Sequence, residues 1–432
     1  MLSSIQKSAI DGKPAAALLT CKVLSVEIYM SVPEVTVIGA GISGLAFAWK
    51  AARAGRRVLV LERRKRTGGC FYSHRASGGF WYEMGAHTVY NSYSNLLDIA
   101  VETGITDRLV QRGPARAHFG LLRDGNISWF TPPGILRKLN WFSAALHAPF
   151  GFIKGKKKRS VRQYYSGLLG SGNFNRLFAP FFAAVPSQPA DDFPVEGPGS
   201  LFKTRTRRKE FPRSFGFTGG LETICHAIAA HPNIETRTGV SAVELQADND
   251  SCRVRLEDGD EFTTPLAAVA APPDSAADLV KNINPELATT LRRIKTVRVE
   301  SLGARVARGR CALPECAFIV PAEDIFYSAV TRDPFPDSSS RGFAFHFRPG
   351  ITRERKIQRV CQTLGVSPDD LNDIAENEVT LPSPRVNHAA ITADIQKLLN
   401  RRVLALTGNY FGGMAVEDCI ARSLEEWRRV QR

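Results

Sequence analysis

The chain has 432 residues, of which 44% are hydrophobic and 23% charged. This length is greater than one hydrophobic core usually supports, so two or three packed units are expected. It shows no repeat or long heptad pattern, which excludes solenoids and coiled coils. Lys and Arg outnumber Asp and Glu by 57 to 42, and the surplus of +15 favours anionic partners. No nucleic-acid-binding module accompanies this charge, and the eight cysteines show no zinc-like pairing, so neither nucleic acid nor a metal is predicted.

The first predicted folding unit follows an N-terminal extension. Residues 1–29 form neither a clean signal sequence nor a membrane span, and we expect them to be a disordered upstream extension. An apolar strand at 35–38, a glycine turn, a helix at 42–54 and a strand at 58–61 then make one βαβ unit. This unit predicts an α/β fold with a Rossmann-like dinucleotide-binding domain.

Changes in composition divide the rest of the chain into interleaved units. The dinucleotide-binding domain is predicted to comprise residues 30–105, 213–275 and 386–432. Residues 106–212 are rich in aromatic and basic residues and predict an inserted domain of helices and loops. Residues 276–385 contain several strand-like runs and predict a substrate domain of β-sheet plus helices.

The first turn carries a phosphate-binding motif. Its residues fit G-x-G-x-x-G and are predicted cofactor contacts: Gly39, Gly41, Ile42, Ser43 and Gly44. The first glycine permits a tight turn, the second lets a pyrophosphate approach the backbone, and the third lets the helix pack on the strand. Glu62 ends the next strand, where a carboxylate can accept hydrogen bonds from ribose hydroxyls. The motif alone leaves NAD and FAD open.

The segment that follows resembles the FAD superfamily of flavin amine oxidases, phytoene desaturases, protoporphyrinogen oxidases and UDP-galactopyranose mutases. The resemblance rests on E-R-R-K-R-T-G-G at residues 62–69, E-M-G-A-H at 83–87 and F-T-G-G-L at 217–221. It implies that the first glycine pair lies by the pyrophosphate, the later turn by the isoalloxazine, and a valine by the adenine. The implied FAD contacts are Glu62, Arg63, Gly68, Gly69, Cys70, Gly85, Ala86, His87, Thr88 and Val240.

The sequence G-N-Y-F-G-G-M-A-V-E-D-C-I at residues 408–420 is similar to the end of protoporphyrinogen oxidases. Glycines before a helix bring backbone N–H groups and the positive helix end towards the flavin pyrimidine. The implied contacts are Gly413, Met414, Ala415 and Val416. Monoamine oxidases attach flavin through a cysteine before this helix; here that stretch has Asn409, Tyr410 and Phe411, so we expect non-covalent FAD. No catalytic side chain is assigned, because the flavin performs the redox step.

The resemblance implies an FAD-dependent oxidase of heme biosynthesis that transfers hydride from protoporphyrinogen or coproporphyrinogen to flavin N5. Candidate groups for the carboxylates of this tetrapyrrole are Arg205, Arg207, Arg208 and Lys209. Cys70 and His87 depart from the family, since many relatives carry arginine there. A UDP-galactopyranose mutase-like enzyme, a carotenoid desaturase, a flavin amine oxidase and an idle flavoprotein therefore stay open. Amine oxidation is less favoured, because residues 296–308 offer no clear counterpart of the flavin-side lysine.

An acid-free window at residues 125–190 combines aromatic residues such as Trp141 with cations from Lys154 to Arg162. Its uncharged run at 139–153 is shorter than the roughly 20 residues that a spanning helix needs. Peripheral, in-plane contact with an anionic membrane and an aromatic core with a solvated basic face both fit. We expect a cytoplasmic protein, with peripheral contact to the inner face of the cytoplasmic membrane as an option. The sequence does not indicate an oligomeric state.

Overall fold

The computed structural model describes residues 33–153, 155–335 and 337–431, so the predicted extension at 1–29 lies outside the described residues. Its helices are α1 (Ile42–Arg53), α2 (Ser94–Glu102), α3 (Trp141–Ile153), α4 (Val161–Leu169), α5 (Ser171–Asn173), α6 (Ala179–Ala184), α7 (Glu222–Ala229), α8 (Pro273–Val280), α9 (Pro285–Leu291), α10 (Arg353–Leu364), α11 (His388–Leu398) and α12 (Val416–Gln431). Its strands are β1 (Val35–Ile38), β2 (Val58–Glu62), β3 (Ser73–Arg75), β4 (Trp81–Glu83), β5 (Val89–Tyr90), β6 (Leu109–Gln111), β7 (Phe119–Arg123), β8 (Asn126–Phe130), β9 (Ser214–Phe217), β10 (Ile234–Thr238), β11 (Ala242–Ala247), β12 (Cys252–Leu256), β13 (Glu261–Thr264), β14 (Leu266–Val269), β15 (Thr296–Ala307), β16 (Phe318–Pro321), β17 (Phe326–Thr331), β18 (Ser340–Phe347), β19 (Leu371–Pro382) and β20 (Leu404–Leu406).

A five-stranded parallel sheet in the order β10–β2–β1–β14–β20 carries the glycine motif. Strands β1, β2 and β14 are almost wholly apolar, and every residue in them is buried. Such continuous burial follows because both faces of a parallel sheet are covered. The strands come from residues 35–62, 234–269 and 404–406, so the sheet is assembled from three separate parts of the chain.

Each face of this sheet has its own core. On one face, Phe47 of α1 packs edge-on against Trp427 of α12 with ring centroids 5.6 Å apart. Ser423 of α12 also donates its Oγ proton to the Ser43 carbonyl oxygen at 2.7 Å. On the other face, α8, α9 and α11 pack with a small antiparallel sheet of β11, β12 and β13. The C-terminal helix is thereby fixed beside the helix that opens the glycine motif.

A larger sheet has the order β19–β15–β18–β17–β16–β7–β8, antiparallel apart from the β16–β7 pair. Phenylalanines of β18 fill its core, where α10 covers it. Strands β7 and β8 form a hairpin at residues 119–130, inside the predicted insertion of helices and loops at 106–212. The sheet thus draws on that insertion as well as on the predicted substrate domain at 276–385.

The rest of the insertion is helical. Helix α4 begins at a reciprocal cap, in which Gln163 N donates to Ser160 Oγ at 3.2 Å and Ser160 N donates to Gln163 Oε1 at 2.9 Å. A small aromatic core includes Phe174 and Phe182, and Met414 packs against it. The insertion therefore contacts the turn before α12. Within the described residues, none of the helices combines the length and apolar character required to cross a membrane.

Candidate functional site

Two glycines shape the turn between β1 and α1. Gly39 has a φ of +107°, and a Cβ there would lie 2.7 Å from the Ala270 carbonyl oxygen. A Cβ on Gly44 would lie 1.9 Å from the Gly39 carbonyl oxygen. Both positions exclude a side chain, so the fold itself requires the first and third glycines of the motif.

Gly41 differs, because no described part of the protein requires a glycine there. Its φ of −73° suits any residue, and the atom nearest to a Cβ at this position would be Gly69 Cα at 3.8 Å. Helix α1 begins at the next residue, and within the described chain it has neither a side-chain cap nor an acidic residue in its first turn. The first amides of a helix lack intrahelical acceptors and favour anions. A glycine that the fold does not require, next to uncapped helix amides, fits a pyrophosphate site.

The Gly68–Gly69 loop packs against Gly41. Gly68 N donates to the Ala40 carbonyl oxygen at 2.8 Å, and a Cβ on Gly69 would lie 2.9 Å from Gly41 Cα. Arg66 holds the loop, since its Nη2 donates to the Gly69 carbonyl oxygen at 3.0 Å. Sequence reasoning missed this role of Arg66, because the hydrogen bond from Arg66 to Gly69 depends on the folded conformation of the loop.

Glu62 and Val240 meet at the end of β2. One Glu62 carboxylate oxygen accepts from Ala40 N at 2.8 Å, and the other accepts from Arg64 N at 2.9 Å. Val240 N donates to the Glu62 carbonyl oxygen at 3.0 Å. Arg63 beside them is exposed. A carboxylate oxygen has more than one acceptor site, so Glu62 keeps the capacity to bind ribose hydroxyls.

Cys70 and the Gly85 turn also come together. A Cβ on Gly85 would lie 2.0 Å from the Cys70 carbonyl oxygen, and Ala86 N donates to that oxygen at 3.1 Å. Burial raises the pKa of the Cys70 thiol. Where many relatives are expected to place an arginine, this chain therefore offers a neutral group.

The turn before α12 is tied to the insertion. A Cβ on Gly413 would lie 2.6 Å from Asp418 Oδ2. Lys203 Nζ donates to the Gly412 carbonyl oxygen at 2.8 Å, and Arg205 Nη2 donates to Asp418 Oδ1 at 2.8 Å. The turn enters the helix through the remaining predicted contacts, Met414, Ala415 and Val416.

Known proteins share this arrangement. Residues 42–309 match the family model described as flavin containing amine oxidoreductase. The chain belongs to this family. The predicted membership of the FAD-dependent amine oxidase superfamily is thus confirmed, and the family implies a flavin cofactor, FAD.

Curated relatives match parts of this chain. A 15-cis-phytoene desaturase from Narcissus pseudonarcissus is 35% identical over 103 residues, which cover 24% of this chain and 18% of the desaturase. A chloroplastic protoporphyrinogen oxidase from Nicotiana tabacum is 30% identical over 192 residues, which cover 42% of this chain and 31% of that oxidase. The chain therefore matches less than a third of the length of these relatives.

Solved structures match nearly the whole fold. A provisionally named protoporphyrinogen oxidase from Exiguobacterium sp. 255-15 superposes with a TM-score of 0.75 and 17% identity, over 93% of this chain and 99% of that one. Reduced UDP-galactopyranose mutase gives a TM-score of 0.70 and 14% identity, over 93% and 96% of the two chains. These neighbours confirm the predicted α/β fold with a Rossmann-like FAD domain.

In this member of the family, His87 joins the loop after Gly85 to the larger sheet. Its Nε2 lies 2.7 Å from Nε2 of His346 on β18, whose Nδ1 lies 2.7 Å from Ser301 Oγ on β15. Burial lowers the pKa of both imidazoles, to about 4 for His346. Both rings are therefore neutral at neutral pH, and one donates to the other. Thr88, the last predicted contact of the loop, follows directly and is partly buried.

Two of the four cations suggested for a substrate carboxylate have other partners in this family member. Arg205 is paired at the turn before α12, as described above. Arg208 pairs with Asp98 at 2.6 Å. Arg207 and Lys209 are exposed. Arg205 and Arg208 are therefore already paired with carboxylates of the chain itself.

Proposed function

We propose that this chain is an FAD-dependent oxidase that removes hydride from a porphyrinogen, either protoporphyrinogen or coproporphyrinogen, in heme biosynthesis. Bound FAD would supply the hydride acceptor, flavin N5. The observation that carries the cofactor part is a glycine that the fold does not require at the uncapped start of α1, where the nearest atom to a Gly41 Cβ would be Gly69 Cα at 3.8 Å. Glu62 stands at the end of β2, hydrogen-bonded to Ala40 N beside this glycine.

The predicted contacts fit three parts of FAD. The pyrophosphate would lie against the amides of Gly41, Ile42, Ser43 and Gly44 and the facing Gly68 and Gly69, with Gly39 shaping the turn. The adenosine would lie against Glu62, Arg63 and Val240. The flavin would lie against Cys70, Gly85, Ala86, His87 and Thr88 on one side and Gly413, Met414, Ala415 and Val416 on the other. In this arrangement the chain orients the cofactor and keeps water from it.

The start of α12 would face the flavin with little net charge. Two acidic residues, Glu417 and Asp418, lie in its first turn. Lys203 and Arg205 neutralise Asp418 at 3.2 and 2.8 Å. Burial raises the pKa of Glu417, which favours its neutral form. The positive end of the helix would then stabilise negative charge on the cofactor.

A non-covalent complex is part of this proposal. Cys419 lies inside α12 with 4% of its surface exposed, and burial raises the pKa of its thiol to about 12. Burial also raises the pKa of Cys70. The thiolate is the nucleophilic form of cysteine, so neither side chain is suited to attach a flavin.

The substrate assignment rests on the segment at residues 408–420, which resembles protoporphyrinogen oxidases and lies against the cofactor motif through α1 and α12. A second candidate, a UDP-galactopyranose mutase-like enzyme, is favoured by the G-A-H turn at 85–87. The partial match to desaturases makes a carotenoid desaturase the third candidate.

Anaerobic mixing of the FAD-loaded protein with each candidate substrate would separate these functions. We expect protoporphyrinogen IX or coproporphyrinogen III to reduce the flavin, with phytoene and UDP-galactofuranose leaving it oxidised. If phytoene alone reduces the flavin, the enzyme is a desaturase. Formation of UDP-galactopyranose from UDP-galactofuranose, after prior reduction of the flavin by dithionite, would instead support a mutase.

We further propose peripheral contact with an anionic membrane through α3. Trp141 is 59% exposed, Phe142 81% and Ile153 82%. Exposed Arg137 and Lys138 precede the helix, and exposed Lys156, Lys157 and Lys158 follow it. Lys154 of the predicted basic stretch lies outside the described residues. Apolar side chains flanked by cations suit an interfacial helix.

Flotation with vesicles that contain phosphatidylserine tests this contact. The variant Trp141→Ser with Phe142→Ser should lose most vesicle binding, whereas Val101→Ser should not. Val101 provides the control because it is also exposed, at 49%, but lies on α2. Equal binding by both variants would show that α3 does not contact the membrane.

A further inference from the structure

Arg112 occupies a fixed place next to the flavin end of the proposed site. Its backbone N–H donates to the Ser214 carbonyl oxygen on β9 at 3.1 Å. Tyr90 pairs with the same Ser214 from the other side of β9. His87 lies three residues before Tyr90 in the loop that leads into β5. Arg112 and His87 thus belong to two segments that flank β9, with Arg112 at the level of Tyr90.

The guanidinium of Arg112 has no partner among the described residues. The residue is 9% exposed, and its Nε is enclosed without a hydrogen-bond partner. The ionisable groups that act on it are Tyr90 and a like charge, Arg116, and burial lowers its pKa. Burying an unpaired charge is unfavourable, so binding of an anion would stabilise this guanidinium.

The fold pairs each of the other buried cations in the described chain. Arg341 lies 2.5 Å from an oxygen of Asp333. Arg422 lies 2.9 Å from Glu426, and Lys356 pairs with Glu300. The lack of a partner at Arg112 is therefore an exception in this protein, and it occurs next to the proposed site.

His87, on the other side of β9, is a neutral hydrogen-bonding group. Burial, the neighbouring His346 and the charge of Arg112 together lower the pKa of its imidazole. His87 is held by His346 at 2.7 Å, and His346 by Ser301 at 2.7 Å. A cation beside an oriented neutral imidazole suits a carboxylate, which accepts several charge-assisted hydrogen bonds.

We propose that Arg112 binds a carboxylate of the ligand at the flavin end of the site, with His87 as a second hydrogen-bonding group. The inference rests on the proposed function for the presence of FAD next to His87. A negative charge could come from two sources in this place, a carboxylate of the substrate or the reduced flavin ring. We assign Arg112 to the carboxylate, and the experiment distinguishes the two.

The variant Arg112→Met removes the charge and keeps much of the side-chain volume. Because Arg112 has no ion pair in the described chain, we expect the variant to fold and to retain FAD. Arg112→Lys keeps the charge but not the fork of donors. Arg213→Met is the matched control, because Arg213 is an exposed arginine adjacent to Ser214.

Benzoate, with neutral benzamide as its comparison, is the first probe and needs no assumption about the substrate. Titration is followed by the flavin absorption spectrum of the FAD-loaded protein. In the parent and in Arg213→Met, benzoate should bind and benzamide should not. Arg112→Met should weaken benzoate binding about tenfold or more, and Arg112→Lys by less. Equal benzoate affinity in the parent and Arg112→Met would overturn the proposal.

One further measurement distinguishes a substrate carboxylate from the reduced flavin as the source of negative charge. Another tests the Arg112 site separately from the proposed porphyrinogen oxidase function. If Arg112→Met lowers the flavin midpoint potential but leaves benzoate binding unchanged, the anion is the flavin and the carboxylate assignment is wrong. Protoporphyrin IX should bind more tightly than its dimethyl ester, and Arg112→Met should remove the difference. If neither tetrapyrrole binds but benzoate binding still depends on Arg112, the proposed porphyrinogen substrate is wrong. The proposal of a carboxylate site at Arg112 would still hold.

Discussion

The buried imidazole of His346 predicts a pH dependence that can be measured directly. Burial lowers its pKa from an ordinary value near 6.5 to about 4. The groups that contact it are His87 and Ser301. In the unfolded chain the ring would take up its proton near pH 6.5, whereas in the folded protein it would do so only near pH 4. Its contribution to stability is therefore complete above about pH 6.5 and is lost as the pH falls towards about 4.

The magnitude follows from the difference between the two pKa values. A difference of about 2.5 units corresponds to about 3 kcal/mol of unfolding free energy. At about pH 5.5 an ordinary histidine would be about 90% protonated, whereas His346 would be about 3% protonated.

Nuclear magnetic resonance of the FAD-loaded protein with isotope-labelled histidine rings gives the protonated fraction directly. The His346→Gln variant assigns the signal, because only that resonance should disappear. Denaturant unfolding of both proteins between about pH 7 and pH 4 should show the parent losing about 3 kcal/mol more than the variant. A His346 ring that titrates near pH 6.5 would refute the assignment of a buried neutral pair.

Two other changes test the site and the fold. Gly41→Val should abolish FAD retention, because its side chain would occupy the place proposed for the pyrophosphate. The control Gly309→Val, at an exposed glycine with open surroundings, should keep the cofactor. A Gly41→Val protein fully loaded with FAD would contradict the proposed pyrophosphate site. Asp333→Asn should destabilise the protein by about 3–5 kcal/mol in denaturant unfolding, because it leaves buried Arg341 without its counter-charge. Asp278→Asn, which breaks an exposed pair, should cost less than about 1 kcal/mol, and equal effects would contradict this reasoning.

Local motifs made the cofactor domain predictable from the sequence. Gly39 and Gly44 act within one turn, so their spacing encodes both the backbone conformation and the helix packing. The burial of β1 and β2 follows from their apolar runs. The FAD contacts themselves remain predictions, because they depend on a ligand as well as on the chain.

The contacts that the sequence did not indicate join residues that are far apart in the chain. His87 and His346 are 259 residues apart, and no local pattern announces their contact. The unpaired state of Arg112 likewise depends on which side chains the fold brings near it. By contrast, the β7–β8 hairpin did have a local signal, since Asp124-Gly125 is a typical two-residue hairpin turn. The prediction of helices and loops for residues 106–212 did not use it.

Anaerobic single-turnover reduction of the FAD-loaded protein by protoporphyrinogen IX tests the central claim most directly. We predict that the flavin absorbance is lost on mixing and that oxidised, fluorescent tetrapyrrole accumulates once an electron acceptor is admitted. A flavin that dithionite reduces but that neither protoporphyrinogen IX nor coproporphyrinogen III reduces would contradict the proposed oxidase.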